Sequence, residues 1–164
     1  MGKKQRVRRL RPDREVLFPM LVVCDYNVAS KETPEYNCIA LAAGDYTTKW
    51  DCPPIRGQYF WPLNAKQGNN VDALMSAFAT LGYEKCEDCT LEIGFEKIAI
   101  YADQNGVWQH AAKLTKDGYW ISKLGDWEDI RHKTLDALEC ADYGSVVGFM
   151  RRRSQKRPKR HGRK

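Results

Sequence analysis

The side chains that could carry chemistry are a thiol on Cys38 and an imidazole on His110. Upstream of the thiol, Thr33-Pro34 and Asn37 both offer a helix start, because Thr and Asn cap helices and Pro is tolerated in the first turn. A helix start lowers the pKa of a thiol, and a strand-borne imidazole can take its proton. The pattern is that of a nucleophile and a base, although both residue types are also common in protein cores.

An antiparallel hairpin pattern places His110 on a strand. Three runs rich in β-forming residues are separated by Gly-containing turns, and they cover 96–102, 107–115 and 119–124. We therefore predict a sheet in which His110 lies on the middle strand of three.

A third group must orient the imidazole, and the next strand offers only Ser122 and Lys123. A two- or four-residue turn would put Lys123 on the face of His110, whereas a three-residue turn with Gly118 at positive φ would put Ser122 there. The sequence Lys116-Asp-Gly suits the three-residue turn. We therefore predict Ser122, a weaker orienting group than a carboxylate, as the third residue.

Two helices precede this sheet. The first covers 38–43 and is ended by Gly44, and the second follows a capping Asn70 and covers 71–81. A short β-rich run over 18–24 is predicted as a strand, and 144–150 as the last one. Because the helices come first and the antiparallel sheet follows, the sequence predicts an α+β fold with N-terminal helices packed on the sheet.

Residues 45–69 show no periodicity and are rich in aromatic side chains. Such side chains are costly to leave in water, so we expect this loop to cover the first helix and the sheet. It is predicted to be core material first and a substrate wall second, formed by Trp50, Phe60, Trp61 and the strand residue Trp108.

The net charge of +6 is unevenly distributed. Residues 1–14 carry +6 and residues 151–164 carry +9, whereas 15–150 carry 11 Lys/Arg against 20 Asp/Glu, a net charge of −9. We predict a single domain over 15–150 with two disordered basic arms. The arms could be solubilising tails. Alternatively, they could contact nucleic acid or an unidentified acidic protein, and the residues that would make this contact are Arg151, Arg152, Arg153, Lys156 and Arg157.

Other classes of protein are disfavoured. The chain has no run of 18 apolar residues, and the apolar stretch 17–24 is interrupted by Pro19 and lacks a cleavage site, so we expect a cytoplasmic protein with no membrane segment. The six cysteines are then expected to be free. Cys86-x-x-Cys89 could hold half a zinc site or a redox pair, but zinc needs a second pair at similar spacing and the chain has none, so a loop with two ordinary thiols is favoured. His132 is interpreted as a structural residue beside Asp129. We predict no metal and no cofactor.

Seven short motifs resemble an uncharacterised, mostly bacterial domain family over residues 34–150. They are Asn37-Cys38-Ile-Ala, Phe60-Trp-Pro62, Glu96-Lys-Ile-Ala-Ile-Tyr-Ala, His110-Ala-Ala, Trp120-Ile-Ser-Lys-Leu-Gly125, Asp129-Ile-Arg-His132 and Tyr143-Gly144. That family in turn resembles the papain-like Cys/His fold of NlpC-type amidases.

This resemblance implies that Cys38 is the nucleophile, that His110 is the general base and that a polar residue on the next strand orients the imidazole. The chain departs from the papain-like pattern because 119–124 contains no Asn, Asp, Gln or His. Two functions follow as expectations. One is a Cys-dependent amide or thioester hydrolase or transferase, and the other is a non-enzymatic papain-like scaffold that binds a partner.

Overall fold

The computed structural model describes residues 7–155, which form an antiparallel seven-stranded sheet with a few short helices. Mixed helix and sheet content and antiparallel pairing are confirmed, although strands predominate. The helices are α1 (Pro12–Glu15), α2 (Cys38–Ala43) and α3 (Val71–Ala79), with 3-10 turns at Leu21–Val23 and Asp136–Leu138. The strands are β1 (Tyr26–Val28), β2 (Lys49–Trp50), β3 (Tyr59–Phe60), β4 (Glu84–Cys86), β5 (Phe95–Ala102), β6 (Trp108–Leu114), β7 (Trp120–Lys123), β8 (Asp129–His132) and β9 (Ser145–Arg153).

The sheet is ordered β1-β8-β7-β6-β5-β9-β4, and β2 and β3 form a separate parallel pair. The turn between β6 and β7 has three residues, because Thr115 and Tyr119 flank it through a backbone hydrogen bond of 2.8 Å. Gly118 lies in this turn at φ +86°. Leu114 then pairs with Trp120, so even-numbered residues of the two strands share one face.

Each face of the sheet is covered by a different cluster of apolar residues. We call the first the helical face, because α2 and α3 pack on it around Ile98, Ile100 and Ala111. We call the second the N-terminal face, because Leu10, Phe18 and Leu21 pack on it with Tyr101 and other strand residues. From His110 onwards, parity divides the side chains of β6 and β7 between the two faces, whereas Trp108, beyond a register shift between β5 and β6, packs on the helical face.

The helix starts agree with the caps expected from the sequence. Asn37 accepts a hydrogen bond of 3.1 Å from Ala40 N–H, and Gly44 ends α2 in the left-handed region at φ +84°. Asn70 caps α3 in the same way, through Ala73 N–H at 2.8 Å. Within residues 7–155, no helix is long and apolar enough to cross a membrane.

The predicted strand over 18–24 is wrong. Phe18 and Leu21 are buried in the N-terminal face, and Leu21 N–H bonds Phe18 O at 3.0 Å, which makes a turn rather than an extended chain. Pro19 lies inside this turn and cannot donate to a sheet ladder. The first strand instead covers 26–28, just after the predicted run.

Part of each predicted disordered arm is folded. Leu10 and Arg14 are buried near the N-terminus, and β9 extends to Arg153, three residues beyond the predicted end of the domain. An apolar anchor at Leu10 and pairing between β9 and β5 explain why these basic stretches are ordered. Residues 1–6 and 156–164 lie outside the described residues.

Candidate functional site

His110 lies in the middle of the sheet on β6 and is fully buried. Its side chain points to the N-terminal face, opposite Tyr101 of β5, whose ring makes an edge contact at 5.2 Å between centroids. The ring of Tyr143 stacks on the imidazole at 4.3 Å with an interplanar angle of 6°. The imidazole is therefore enclosed between two tyrosine rings.

A chain of hydrogen bonds connects His110 to two further strands. His110 Nε2 lies 3.0 Å from Ser122 Oγ, and Ser122 Oγ lies 2.8 Å from His132 Nε2. His132 Nδ1 lies 2.8 Å from the carbonyl oxygen of Thr134. All three side chains are fully buried. We call His110, Ser122 and His132 the polar chain.

The carbonyl of Thr134 fixes the direction of every bond in the polar chain. A carbonyl can only accept, so His132 donates from Nδ1 and, as a neutral imidazole, accepts at Nε2. Ser122 then donates to His132 and accepts from His110 Nε2–H. This assignment leaves His110 Nδ1 as a lone pair, and that atom is buried without a hydrogen-bond partner.

Burial keeps both histidines neutral. Burial first, and the neighbouring His132 second, lower the pKa of His110 well below its usual value. Burial also lowers the pKa of His132 to about 4, although its bond to the Thr134 carbonyl acts in the opposite direction. At neutral pH the polar chain therefore carries no charge.

The sequence placed Ser122 beside His110 but did not include His132. Ser122 lies where the three-residue turn predicts, whereas Lys123 points to the helical face with Ala111 and Ile121. The expected contact between Asp129 and His132 is wrong, because neighbouring residues of a strand alternate faces and Asp129 accepts instead from Tyr36 OH at 2.7 Å. The sequence could have indicated His132, because even-numbered residues of β7 and β8 share one face and His132 therefore lies on the face of Ser122.

Cys38 begins α2, as expected, but the structure does not join it to His110. The side chain packs with the cluster on the helical face, whereas His110 points to the N-terminal face. Within residues 7–155, no hydrogen bond connects the thiol to either ring nitrogen of His110. Burial raises the pKa of Cys38 to about 11, against a smaller effect of hydrogen bonding by the Ala111 backbone.

The aromatic residues of the predicted substrate wall pack mainly on one another. Trp50 and Trp61 are buried, Trp61 stacks on Trp108 at 6.1 Å, and the half-exposed Phe60 makes an edge contact with Trp50 at 4.8 Å. Two surface clefts are lined by other residues. The first, of about 340 Å³, is lined by residues that include Glu35, Lys49 and Tyr59, and the second, of about 570 Å³, by residues that include Asp103 and Ser145. The interpretation as core material therefore fits the packing better than that of a wall.

The basic residues at the end of β9 have acidic partners within the domain. Arg151 pairs with Glu92 at 2.6 Å and with Glu84 at 3.2 Å, and Arg152 pairs with Glu96 at 2.6 Å. The guanidinium of Arg153 lies over the ring of Phe95. The predicted nucleic-acid residues Arg151 and Arg152 are thus already neutralised, and Lys156 and Arg157 lie outside the described residues.

A buried charged cluster on the helical face was not predicted. The Lys123 ammonium lies 5.2 Å from the ring centroid of Tyr36 and donates to the carbonyl of Trp127. Asp129 lies opposite Lys123 on β8. Burial lowers the pKa of Lys123 and raises that of Asp129. Among the described residues, no group of three His, Cys, Asp or Glu side chains could hold a metal ion.

Comparison with known proteins identifies the family. The model of a domain of unknown function, DUF7689, matches residues 27–151, which include nearly all of the sheet, both longer helices and the polar chain. The chain therefore belongs to the DUF7689 family. No curated protein and no solved structure shows a significant match to it. The buried segment that carries Leu10, Phe18 and Leu21 lies outside the matched region.

Proposed function

We propose that this member of the DUF7689 family is a non-enzymatic scaffold of papain-like type that binds an acidic protein partner. The observation that carries the proposal is an exposed aliphatic surface, which we call the apolar ridge. It is formed by side chains that are between 44% and 79% exposed, those of Val16, Leu17, Met20, Val22 and Val23.

The apolar ridge is held in place by the residues between its members. Phe18 and Leu21 are buried in the N-terminal face, and Phe18 contacts the ring of Tyr143 at 5.4 Å. Their burial fixes the backbone so that five large aliphatic side chains within eight residues face solvent. Single exposed apolar residues are ordinary, but a concentration of this kind marks an interaction surface.

The charges beside the ridge indicate what the partner carries. Arg8, Arg9 and Arg11 precede it and are exposed. Arg11 pairs with Asp13 on the surface, and exposed ion pairs contribute little energy, so this guanidinium group can exchange partners, whereas Arg9 pairs with the half-buried Glu15 and lies over the ring of Tyr26. A complementary surface would present carboxylates around an apolar groove.

The side chains of the ridge favour a protein over nucleic acid. Proteins that hold single-stranded nucleic acid stack bases on aromatic rings, and those that hold duplexes use cations against phosphates. The ridge offers aliphatic groups, which gain nothing from phosphates and cannot stack on bases. A protein groove is the surface that benefits from burying them.

A synthetic amphipathic helix with leucine on one face and glutamate on the other tests the proposal, with a lysine-for-glutamate peptide as its control. We expect the full chain to bind the glutamate peptide, and Val22→Asp with Val23→Asp to weaken binding by about tenfold or more. Ile93→Asp, at a position 99% exposed and outside the ridge, should leave binding unchanged. Equal binding of both peptides, full binding by the ridge variant, or displacement by a short DNA duplex would overturn the proposal.

A cysteine hydrolase or transferase acting on an amide or thioester is the second candidate. The observation that favours it is the orientation of His110, because Ser122 holds Nε2 and leaves Nδ1 free to accept a proton. Such a papain-like enzyme would use Cys38 as the nucleophile. It requires the thiol to reach an imidazole that packs on the other face of the sheet.

Iodoacetamide labelling against pH separates the two candidates. For a scaffold, we expect Cys38 to react no faster below pH 8 than the exposed Cys89, because burial raises its pKa to about 11. Selective labelling of Cys38 below pH 8 that is lost in both His110→Ala and His110→Gln would instead support the hydrolase. Two variants are needed because the smaller side chain leaves a cavity, whereas glutamine retains most of the volume.

A further inference from the structure

We propose that Cys86 and Cys89 form a redox-active dithiol that exchanges with low-molecular-weight disulfides. Both thiols are free, and Cys89 is exposed whereas Cys86 is half-buried at the end of the edge strand β4. This difference in access assigns the two roles: Cys89 reacts with the external disulfide and Cys86 resolves the product. The site is separate from the apolar ridge and from the polar chain.

The backbone already folds the two cysteines towards each other. Cys86 Sγ lies 3.6 Å from the carbonyl oxygen of Asp88, the residue that precedes Cys89. By standard peptide geometry that oxygen is about 2.8 Å from the Cα of Cys89, so the sulfur of Cys86 is at most about 6.4 Å from that Cα. This bound places the Cys86 sulfur beside the backbone of Cys89, where rotation of both side chains can bring the two sulfur atoms together.

The turn between the two cysteines is fixed by local hydrogen bonds and ion pairs. Asp88 Oδ1 accepts from Thr90 N–H at 3.1 Å and from Thr90 Oγ1 at 2.7 Å. The ammonium of Lys97 bonds the same carboxylate at 2.9 Å and lies 3.3 Å from Glu92. A fixed turn keeps the second thiol close to the first, which favours ring closure over loss of the mixed disulfide.

Two cations beside the site limit the rise in the pKa of Cys86. Burial raises the pKa of Cys86, and the positive charges of Lys97 and Arg151 oppose that effect. Lys97 is itself almost fully buried, so its charge is poorly screened by solvent. Both cations are also paired with carboxylates, Lys97 with Asp88 and Glu92 and Arg151 with Glu92 and Glu84, so the pKa of Cys86 stays above its usual value.

The exchange needs only the two protein thiols and the external disulfide as reactants. The Cys89 thiolate attacks one sulfur of the external disulfide and expels a thiolate, which takes up a proton. The Cys86 thiolate then attacks the Cys89 sulfur and expels the second small thiolate. Two protein thiols are oxidised, one external disulfide is reduced to two thiols, and both electrons pass to that disulfide.

Oxidised glutathione is the probe. After incubation, quenching and denaturation, we expect four titratable thiols where the untreated chain has six. Peptide mass mapping should place the bridge between Cys86 and Cys89. The variant Cys86→Ser should accumulate glutathione on Cys89 at a level about tenfold above the wild-type chain, because nothing resolves the mixed disulfide.

Cys140→Ser is the matched control, since it removes a half-buried thiol at a distant turn and should leave the bridge unchanged. Six thiols after treatment, glutathione retained on Cys89 in the wild-type chain, or a bridge to any other cysteine would overturn the proposal. Each of these outcomes is independent of peptide binding at the apolar ridge.

Discussion

Acidification below pH 6.5 is expected to destabilise this domain, because His110 and His132 are buried as neutral groups. Burial lowers the pKa of His132 to about 4, and burial together with His132 lowers that of His110 well below its usual value. In the unfolded chain both imidazoles titrate near pH 6.5. Between these limits the unfolded state binds protons that the folded state does not, so stability is present above pH 6.5 and is lost as the pH falls.

The size of the effect follows from the two pKa values of His132. With a pKa of about 6.5 unfolded and about 4 folded, the linkage lowers the free energy of unfolding by about 2 kcal/mol at pH 5, and by about 3.4 kcal/mol well below pH 4. His110 adds to this loss in the same direction. Asp88, whose pKa is lowered to about 2 by hydrogen bonds from Lys97 and Thr90, loses its contribution only at lower pH.

Urea unfolding at pH 7, 6 and 5 measures this dependence. We expect the unfolding midpoint to fall steadily over this range in the wild-type chain and to flatten when His110→Gln and His132→Gln are combined. Ser122→Ala is the matched control, because it breaks the polar chain without removing a titratable group. It should lower stability at every pH and keep the slope.

Equal stability of the wild-type chain at pH 7 and pH 5 would refute this reasoning, because it would show that burial does not lower the pKa of the two imidazoles. The same slope in the double glutamine variant would refute it in another way, by assigning the pH dependence to carboxylates.

Three further substitutions test individual contacts by the same unfolding measurement at pH 7. Ser122→Ala should cost about 1–3 kcal/mol, since it leaves two buried imidazole nitrogens without partners. Asn37→Ala should cost about 1–2 kcal/mol, because it removes the α2 cap and two hydrogen bonds to the backbone of Trp50, and a neutral result would show that these contacts are dispensable. Gly144→Ala should cost about 3 kcal/mol, because a Cβ there would stand 1.9 Å from Ala102 O. A Cβ at Gly118 would meet nothing within 4 Å, so Gly118→Ala should cost only about 1 kcal/mol. Equal costs for the two substitutions would contradict the steric argument.

The parts of the fold that could be predicted depend on neighbours in the chain. Asn37 and Asn70 cap helices through residues three positions later, and the turn that ends at Gly118 sets the parity of β6 and β7. Ser122 could therefore be placed beside His110 from the sequence alone. His132 could have been added by the same rule, had the 129–132 stretch been identified as a strand.

The parts that could not be predicted depend on which elements cover which face of the sheet. Sequence order puts Cys38 before His110, but only tertiary packing decides that α2 lies on the face that His110 points away from. Likewise, composition makes 151–153 look like a tail, whereas their pairing with β5 and the carboxylate of Glu92 makes them a strand. The local preference of residues for helix or strand does not depend on either of these tertiary contacts.

The polar chain has a structural reason that does not involve catalysis. The described backbones of β6 and β7 pair at Lys113–Ile121 and Leu114–Trp120, and beyond these pairs His110 and Ser122 connect the same strands through their side chains. Ser122 then connects β7 to β8 through His132. Buried polar groups are costly only when unpaired, so this chain joins three strands where the ladder between two of them stops. A hydrolase would have to use the other ring nitrogen of His110, Nδ1, because Ser122 already occupies Nε2.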